Sequence, residues 1–196
     1  DDFKQNMILL NRTAGHTYVA ESGLIANTGL PNHKTPFTVL STERVLADGA
    51  QDLVIKMASA PVAGVQLVKT FTLHRGNYAI DVKQEVVNSS AVAVSPQLYV
   101  QLVRDGTVPT AEGPTMIGAP QAYLGGAFYT GEAKFQKVEF AQIEKNEAEF
   151  QKSADNGWVA VVQHYFTAAW LNNTQTAREF YARKLDVNLY AMGMLF

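Results

Sequence analysis

The feature that most constrains the fold of this chain is an alternation of apolar and polar residues through the segment 64–88. Its first half places on one side Val65, Leu67, Phe71 and Leu73, and on the other Gln66, Thr70, Thr72 and His74. A period of two is typical of a β-strand with one buried face. The sequence Arg75-Gly76-Asn77 then supplies a turn, since glycine and asparagine tolerate a positive φ. Alternation resumes through residues 78–88, so the segment predicts a β-hairpin.

Strand patterns also occupy most of the remaining chain. The predicted strands are 37–46, 53–57, 92–103, 134–143, 157–171 and 179–191. Asp48 and Gly49 form a turn before the strand 53–57. Pro96 indicates an edge or bulge in the strand 92–103, because proline donates no ladder hydrogen bond. The polar run 144–152 favours a short helix by its Glu, Lys, Ala and Gln content.

These patterns together predict an all-β fold with little helix. About eight to ten strands joined mostly by tight turns favour two packed antiparallel sheets, which would form an enlarged β-sandwich. A chain of 196 residues lies within the range of a single β domain, so one domain spanning 1–196 is expected. The chain starts at Asp1 and shows no signal peptide, so we expect a fragment excised from a larger protein.

Composition excludes several classes of function. The net charge is −2, without a long run of like charge, so nucleic acid is not an expected partner. The absence of cysteine excludes disulfides, thiolate zinc sites and thiol nucleophiles, but is compatible with both reducing and oxidising compartments. The longest apolar stretch, 157–171, is shorter than the roughly 20 residues that a membrane-spanning helix needs.

The segment 106–126 lacks periodicity and is rich in glycine and proline. We predict a long surface loop there. Long loops inside compact domains are often functional, so this one is either a place where a partner binds or a connection between sheets.

No catalytic motif occurs in the sequence, and no catalytic residue, cofactor or metal site is predicted. Four histidines lie too far apart for ligand spacing: His16, His33, His74 and His164. His16 and His33 are expected in solvent, and His74 on the polar face of its strand beside the hairpin turn. Several carboxylates are also expected on solvated faces, namely Asp81, Glu85, Glu139 and Glu144.

The aromatic-rich strand 157–171 contains the candidate binding residues. Alternation along this strand places on one face Trp158, Val162, His164, Phe166 and Trp170. Such a face is either a stacking surface in a ligand cleft or part of the core, because aromatic residues on strands usually bury large apolar areas. His164 is correspondingly either a cleft histidine acting on a sugar or peptide, or a core histidine bonded to a carbonyl.

Three segments resemble a known family. They are Gly157-Trp158-Val159-Ala160 with Gln163, Tyr165-Phe166 and Ala169-Trp170; Lys69 to Leu73 running into Arg75-Gly76-Asn77-Tyr78; and Gly126-Ala127-Phe128-Tyr129 with Lys134 to Phe140 behind it. In this combination they resemble the first periplasmic domain of the YidC family of bacterial membrane protein insertases. The resemblance covers the chain from about Phe37 to the end.

The resemblance implies a supersandwich similar to galactose mutarotase-like and carbohydrate-binding domains, in a larger membrane protein and on the periplasmic face of the inner membrane. It also implies a non-catalytic supporting role, with contacts to the translocase proteins SecD and SecF and to nascent membrane-protein substrates. Two alternatives stay open: a carbohydrate-binding or aldose-epimerase-like module near His164, and a chaperone surface that adds an extended peptide to a sheet edge.

Overall fold

Antiparallel strands dominate the computed structural model, which describes residues 8–27, 29–107, 123–163 and 166–196. Every pairing whose register is described is antiparallel. The strands are β1 (Asn11–Thr13), β2 (His16–Ile25), β3 (Phe37–Val39), β4 (Asp52–Ser59), β5 (Val65–His74), β6 (Ile80–Asn88), β7 (Gln97–Asp105), β8 (Gly125–Thr130), β9 (Lys134–Val138), β10 (Ser153–Ala154), β11 (Trp158–Val162), β12 (Thr167–Trp170), β13 (Arg178–Asp186) and β14 (Leu189–Leu195).

The strands form three sheets. Sheet I has the order β1-β2-β7-β14-β13-β10, sheet II the order β12-β11-β8-β9, and sheet III the order β3-β4-β5-β6. One five-residue helix, α1 (Phe140–Glu144), is the only helix in the described ranges. The predicted all-β class with little helix is therefore confirmed. The likeness to mutarotase-like domains stays a prediction.

The chain forms two compact units. Unit 1 comprises the described residues of Asp1–Glu21 and Tyr99–Phe196, and unit 2 comprises those of Ser22–Leu98. The boundary falls within β2 and β7. The expected single domain spanning 1–196 stays a prediction.

Unit 1 is a two-layer sandwich around one apolar core. Sheet I contributes to this core Tyr18, Val100, Leu102, Phe180, Tyr190, Met192 and Met194, and sheet II contributes Phe128, Val138, Val159 and Val161. The rings of Phe128 and Phe150 stack at 4.2 Å between centroids, and Phe180 meets Phe128 edge-on at 6.0 Å. Close packing of inward residues from two sheets is what holds a β-sandwich together.

Unit 2 is built on sheet III and has a much smaller core. Its buried apolar cluster contains Leu24, Leu30, Val65 and Leu67. Lys69 lies beside this cluster and is itself buried. Its ammonium donates to the Ser22 carbonyl at 2.8 Å and lies 4.7 Å from the centre of the Phe37 ring. These contacts offset part of the cost of burying a charge.

The hairpin predicted through residues 64–88 is confirmed as β5 and β6. Their register pairs Leu67 with Val86 and Leu73 with Ile80. Gly76 lies between the strands at φ +72°, a backbone conformation that residues other than glycine rarely adopt. The strand predicted at 37–46 is shorter, since β3 ends at Val39. The strand predicted at 92–103 begins only after Pro96, and ends at Asp105.

Two predicted late strands are each a hairpin. The segment 157–171 contains β11 and β12, whose antiparallel pairing shows that the chain reverses between Val162 and Thr167, and the segment 179–191 contains β13 and the start of β14. The second turn is centred on Val187 and Asn188, and Asn188 takes φ +53°. Single strands were therefore wrong predictions at both places. Apolar residues on both sides of each reversal favoured one continuous strand in the sequence.

The helix also lies earlier than predicted. It spans Phe140–Glu144 and buries Phe140 and Ile143 against the core of unit 1, whereas the predicted run was 144–152. The strand predicted at 134–143 accordingly ends at Val138. The Glu139 N–H donates to Gln142 Oε1 at 2.8 Å, which satisfies a backbone donor at the helix start. Most of the predicted loop at 106–126 lies outside the described residues.

Candidate binding surfaces

Three aromatic side chains lie side by side on the outer face of sheet II. Register pairs Trp158 with Tyr129, and Tyr129 with Phe135, across β11, β8 and β9. The Trp158 and Tyr129 rings stack with centroids 5.6 Å apart at 7°, and the Phe135 ring lies 6.0 Å from Trp158 at 54°. Phe135 is 49% exposed. We call these three residues the aromatic row.

Gly157 permits the start of this row. Its φ is +110°, and a Cβ placed there would overlap the Tyr129 carbonyl oxygen. Any side chain would therefore push β11 away from β8. The backbone approach at Gly157 explains why glycine precedes Trp158 in the Gly-Trp-Val-Ala segment.

Trp170 does not share the face of Trp158, contrary to the prediction. The hairpin register pairs Trp170 with Val159, and directly opposed residues point to the same face of a sheet. Trp170 therefore packs against the core of unit 1, and its Nε1–H donates to the Gln101 carbonyl at 2.9 Å. The chain reverses between Val162 and Thr167, so alternation counted from β11 into β12 assigns the wrong face.

Phe166 closes the turn between β11 and β12. Its carbonyl accepts from the Gln163 N–H at 2.8 Å, and Phe166 is 40% exposed. His164 lies outside the described residues. Of the predicted binding residues, only Trp158 lies in the aromatic row. The row itself was missed because it depends on which strands become neighbours, and Tyr129 and Phe135 carry no such signal in the sequence.

A second surface lies on sheet III. Two cross-strand rows of apolar side chains share one face of β4, β5 and β6: Leu53, Leu73 and Ile80 in one row, and Ile55, Phe71 and Val82 in the next. Ile80 is 52% exposed and the other five are half-buried. We call these six residues the apolar face. Contiguous apolar side chains left in contact with solvent are typical of interaction sites.

The opposite face of sheet III carries a histidine held between two carboxylates. His74 Nδ1 lies 2.6 Å from Asp52 Oδ1, and Nε2 lies 3.0 Å from Asp81 Oδ2. Hydrogen bonds first to Asp81 and then to Asp52 raise the pKa of the His74 imidazole above its usual 6.5. Only the imidazolium has a donor at each nitrogen. The predicted position of His74, on the polar face beside the turn, is confirmed.

A buried ion pair lies at the end of β7, and His16, which was expected in solvent, lies half-buried beside it. The Arg104 guanidinium is 2.8 Å from Asp105 Oδ2, and His16 Nδ1 is 2.9 Å from the same oxygen. Burial acts to raise the pKa of the Asp105 carboxyl. Hydrogen bonds from Thr17 and Thr107, together with the charge of Arg104, outweigh this effect and lower the pKa to about 2. The side chain of Asp105 also accepts from the Thr17 N–H at 2.7 Å, so this cluster ties β2 to the end of β7.

The four carboxylates expected in solvent all lie at exposed or half-buried positions. Glu85 pairs with Lys83 at 2.9 Å, and Glu144 accepts from the Tyr190 hydroxyl at 3.0 Å. No group of three or more His, Asp or Glu side chains within the described ranges is placed to hold a metal ion. In the same ranges no helix is long and apolar enough to cross a bilayer.

The YidC periplasmic domain family matches this chain over residues 1–196. The chain belongs to that family. Named relatives include the membrane protein insertase YidC of Aromatoleum aromaticum, 44% identical over 194 residues that cover 99% of this chain and 34% of the relative. The insertase YidC of Nitrosomonas europaea is 44% identical over 189 residues, covering 95% of this chain and 30% of the relative.

A third relative is the insertase YidC of Burkholderia cenocepacia, 42% identical over 187 residues that cover 95% of this chain and 33% of the relative. The chain thus spans about a third of the length of the relatives that it matches. Membership of the YidC periplasmic domain family confirms the resemblance given by the three sequence segments. It also confirms the expected location, the periplasmic side of the bacterial inner membrane.

Proposed function

We propose that this chain is a non-catalytic periplasmic module of a membrane protein insertase, which supports insertion and folding of inner-membrane proteins through protein contacts. The observation that carries the proposal is the family match over the whole chain, together with relatives named as insertases. The partners that we infer are the periplasmic regions of SecD and SecF, and segments of nascent membrane proteins.

The apolar face of sheet III is the contact surface that best fits this role. Its six side chains form two complete cross-strand rows and lie outside both buried clusters. Binding there would remove from water apolar area that folding of the chain leaves exposed, which is the main favourable term in protein association. Asp52, Asp81 and the other exposed charges of β4, β5 and β6 lie on the opposite face, so they would not be desolvated.

Calorimetric titration of the chain with purified periplasmic regions of SecD and SecF tests the proposal. We expect saturable binding that Ile80→Ser weakens by about tenfold, since each 1.4 kcal/mol of lost binding free energy is a factor of ten. Val87→Ser is the matched control, because Val87 lies on the opposite face of the same strand and is 45% exposed. No heat with either partner, or equal weakening by both substitutions, would contradict the proposal.

Carbohydrate binding is a second candidate function, and the aromatic row favours it. The Trp158 and Tyr129 rings stack on each other and are half-buried, so the ring surface that they leave to solvent is an apolar surface against which a sugar ring can pack. Titration with a panel of hexoses and short glycans is expected to give heat that Trp158→Ala abolishes and Trp170→Phe preserves. Absence of any saturable heat with these sugars would remove this candidate while leaving the insertase proposal intact.

A further inference from the structure

The strand β6 is the last strand of sheet III in the described part of the chain. It pairs with β5 on one side, and no described strand pairs with its other side. The strand is nine residues long and contains no proline or glycine. A long edge of this kind presents a row of backbone N–H and C=O groups, which is a template for pairing with another strand.

Proteins usually protect such an edge with charges. In β6 the charges are Asp81, Lys83 and Glu85, which all lie on the polar face of sheet III and alternate in sign. These charges repel a second β6 strand only in a register that places like charges opposite each other across the new pair. The register of any pairing therefore decides whether these charges prevent or favour it.

Antiparallel pairing of β6 with a second β6 is favourable in one register. A two-fold axis at Gln84, the central residue of Ile80–Asn88, would bring all nine residues of each strand into the pair. Lys83 of each copy would then lie opposite Glu85 of the other copy. On the apolar side Val82 would oppose Val86 in both halves of the pair. Towards the ends of the pair, Asp81 would oppose Val87 and Ile80 would oppose Asn88.

Neighbouring registers lack this match. An axis at Lys83 would place Asp81 opposite Glu85, which is destabilising for like charges. An axis at Glu85 would place Lys83 opposite Val87 and leave both carboxylates without a cationic partner across the strands. An axis at Val82 would pair Asp81 with Lys83, but only five residues of β6 would take part.

We propose that β6 joins two copies of this chain by antiparallel strand pairing centred on Gln84, which extends sheet III across a two-fold axis. An interface of one strand pair is small, and small interfaces are typical of weak or transient association. Two copies held at the same membrane face would meet at a raised local concentration, so weak pairing suffices there. The pairing uses the edge of sheet III, and leaves the apolar face open to another partner.

Charge exchange tests the register. Lys83→Glu would place its new carboxylate opposite Glu85 of the second copy, and Glu85→Lys would place its new ammonium opposite Lys83. Each variant alone is therefore expected to dimerise at least about tenfold more weakly than the unmodified chain. An equimolar mixture of the two variants restores both opposite-charge pairs, and is expected to recover the dimer as a heterodimer. Sedimentation velocity from micromolar to near-millimolar protein measures all four samples, and circular dichroism checks that each variant is folded.

A single cysteine gives an independent readout, because the chain contains none. With the axis at Gln84, two Gln84→Cys residues oppose each other at a Cα separation of about 4.5–5.5 Å, within disulfide range. Mild oxidation is expected to cross-link this variant. Val87→Cys is the control, since in this register its two copies would lie about 20 Å apart along the strands.

Three results would overturn the proposal. The first is an unmodified chain that stays monomeric at every concentration. The second is a mixture of Lys83→Glu and Glu85→Lys that associates no better than each variant alone. The third is cross-linking of Val87→Cys as fast as that of Gln84→Cys.

Discussion

Unit 1 and unit 2 use apolar residues in different ways. In unit 1 two sheets face each other, and large side chains such as Phe128, Met192 and Met194 are fully buried between them. In unit 2 only the Val65 and Leu67 end of sheet III has a buried cluster, and the apolar rows farther along the same strands stay half-exposed. The same alternating pattern thus gives a packed core in one unit and a solvent-facing surface in the other.

This difference shows that alternation predicts which side chains share a face, but not what covers that face. The exposed rows of unit 2 lower stability relative to a covered sheet, because apolar area left in water contributes nothing to folding of the free chain. The contact with another protein proposed above would cover this area. Substituting the same type of residue in each unit, and comparing the losses in the free energy of unfolding, measures how differently the two units are packed.

The largest contrast is expected for phenylalanine. Phe128→Ala in unit 1 leaves a cavity in a close-packed core and is expected to cost about 3–5 kcal/mol in the free energy of unfolding. Phe71→Ala in unit 2 removes a half-exposed ring and is expected to cost about 1 kcal/mol. Urea denaturation of both variants measures the difference. Equal losses would show that the apolar face is packed as tightly as the core.

Arginine gives the next contrast. Arg178 in unit 1 is 2% exposed, and its guanidinium donates to the carbonyls of 155, 157, 172, 174 and 176. Arg178→Met leaves these acceptors without their donor, and is expected to cost about 2–4 kcal/mol.

Arg75 in unit 2 is the matched control. It donates to the carbonyls of Ala47 and Ala50 at 2.8 and 2.7 Å, but it is exposed, so water replaces its hydrogen bonds when it is removed. Arg75→Met is expected to cost about 1 kcal/mol or less in the same denaturation assay. A larger loss for Arg75 than for Arg178 would contradict the contrast between the units.

The smallest effect is a pH dependence confined to unit 2. Because the folded-state pKa of His74 is raised, its contribution to stability is fully present below the usual value of 6.5 and is lost as pH rises through the folded pKa. As pH rises from 6.5 through the folded-state pKa of His74, the unmodified chain is therefore expected to lose stability relative to His74→Gln.

Titration of the His74 ring by NMR provides the direct readout. We expect a pKa above 6.5 that falls in Asp81→Asn, because that substitution removes the carboxylate bonded to Nε2. A pKa at or below 6.5 in the unmodified chain would rule out the bridge between Asp52 and Asp81 in solution.

Local signals in the sequence were sufficient for some elements and absent for others. The hairpin of β5 and β6 was predicted because Gly76 and Asn77 mark its turn. The hairpin of β11 and β12 was missed because the four residues that separate its strands in the sequence, 163–166, include no glycine, proline, asparagine or aspartate. Asn188 does mark the turn before β14, but the apolar residues on both sides of it favour one continuous strand.

The candidate surfaces depend on information that a single sequence does not carry. Trp158 lies beside Tyr129 because β11 pairs with β8, and the two residues are far apart in the chain. Likewise, the buried state of Arg104 follows from the packing of unit 1 and not from its sequence neighbours. Alternation predicted the all-β class and family resemblance predicted the location, whereas the contact residues required the register of each sheet.

The division of the chain into units has a consequence for the order of folding. Sheet III joins β3, β4, β5 and β6 in sequence order, so all of its strands are present once residue 88 has been synthesised. Sheet I instead needs β14, which ends at Leu195, to lie between β7 and β13. Local pairing is fast and long-range pairing is slow. During synthesis, sheet III is therefore able to form first, whereas β7, which pairs with β2 on one side, gains its other neighbour only when β14, the last strand of the chain, has been made.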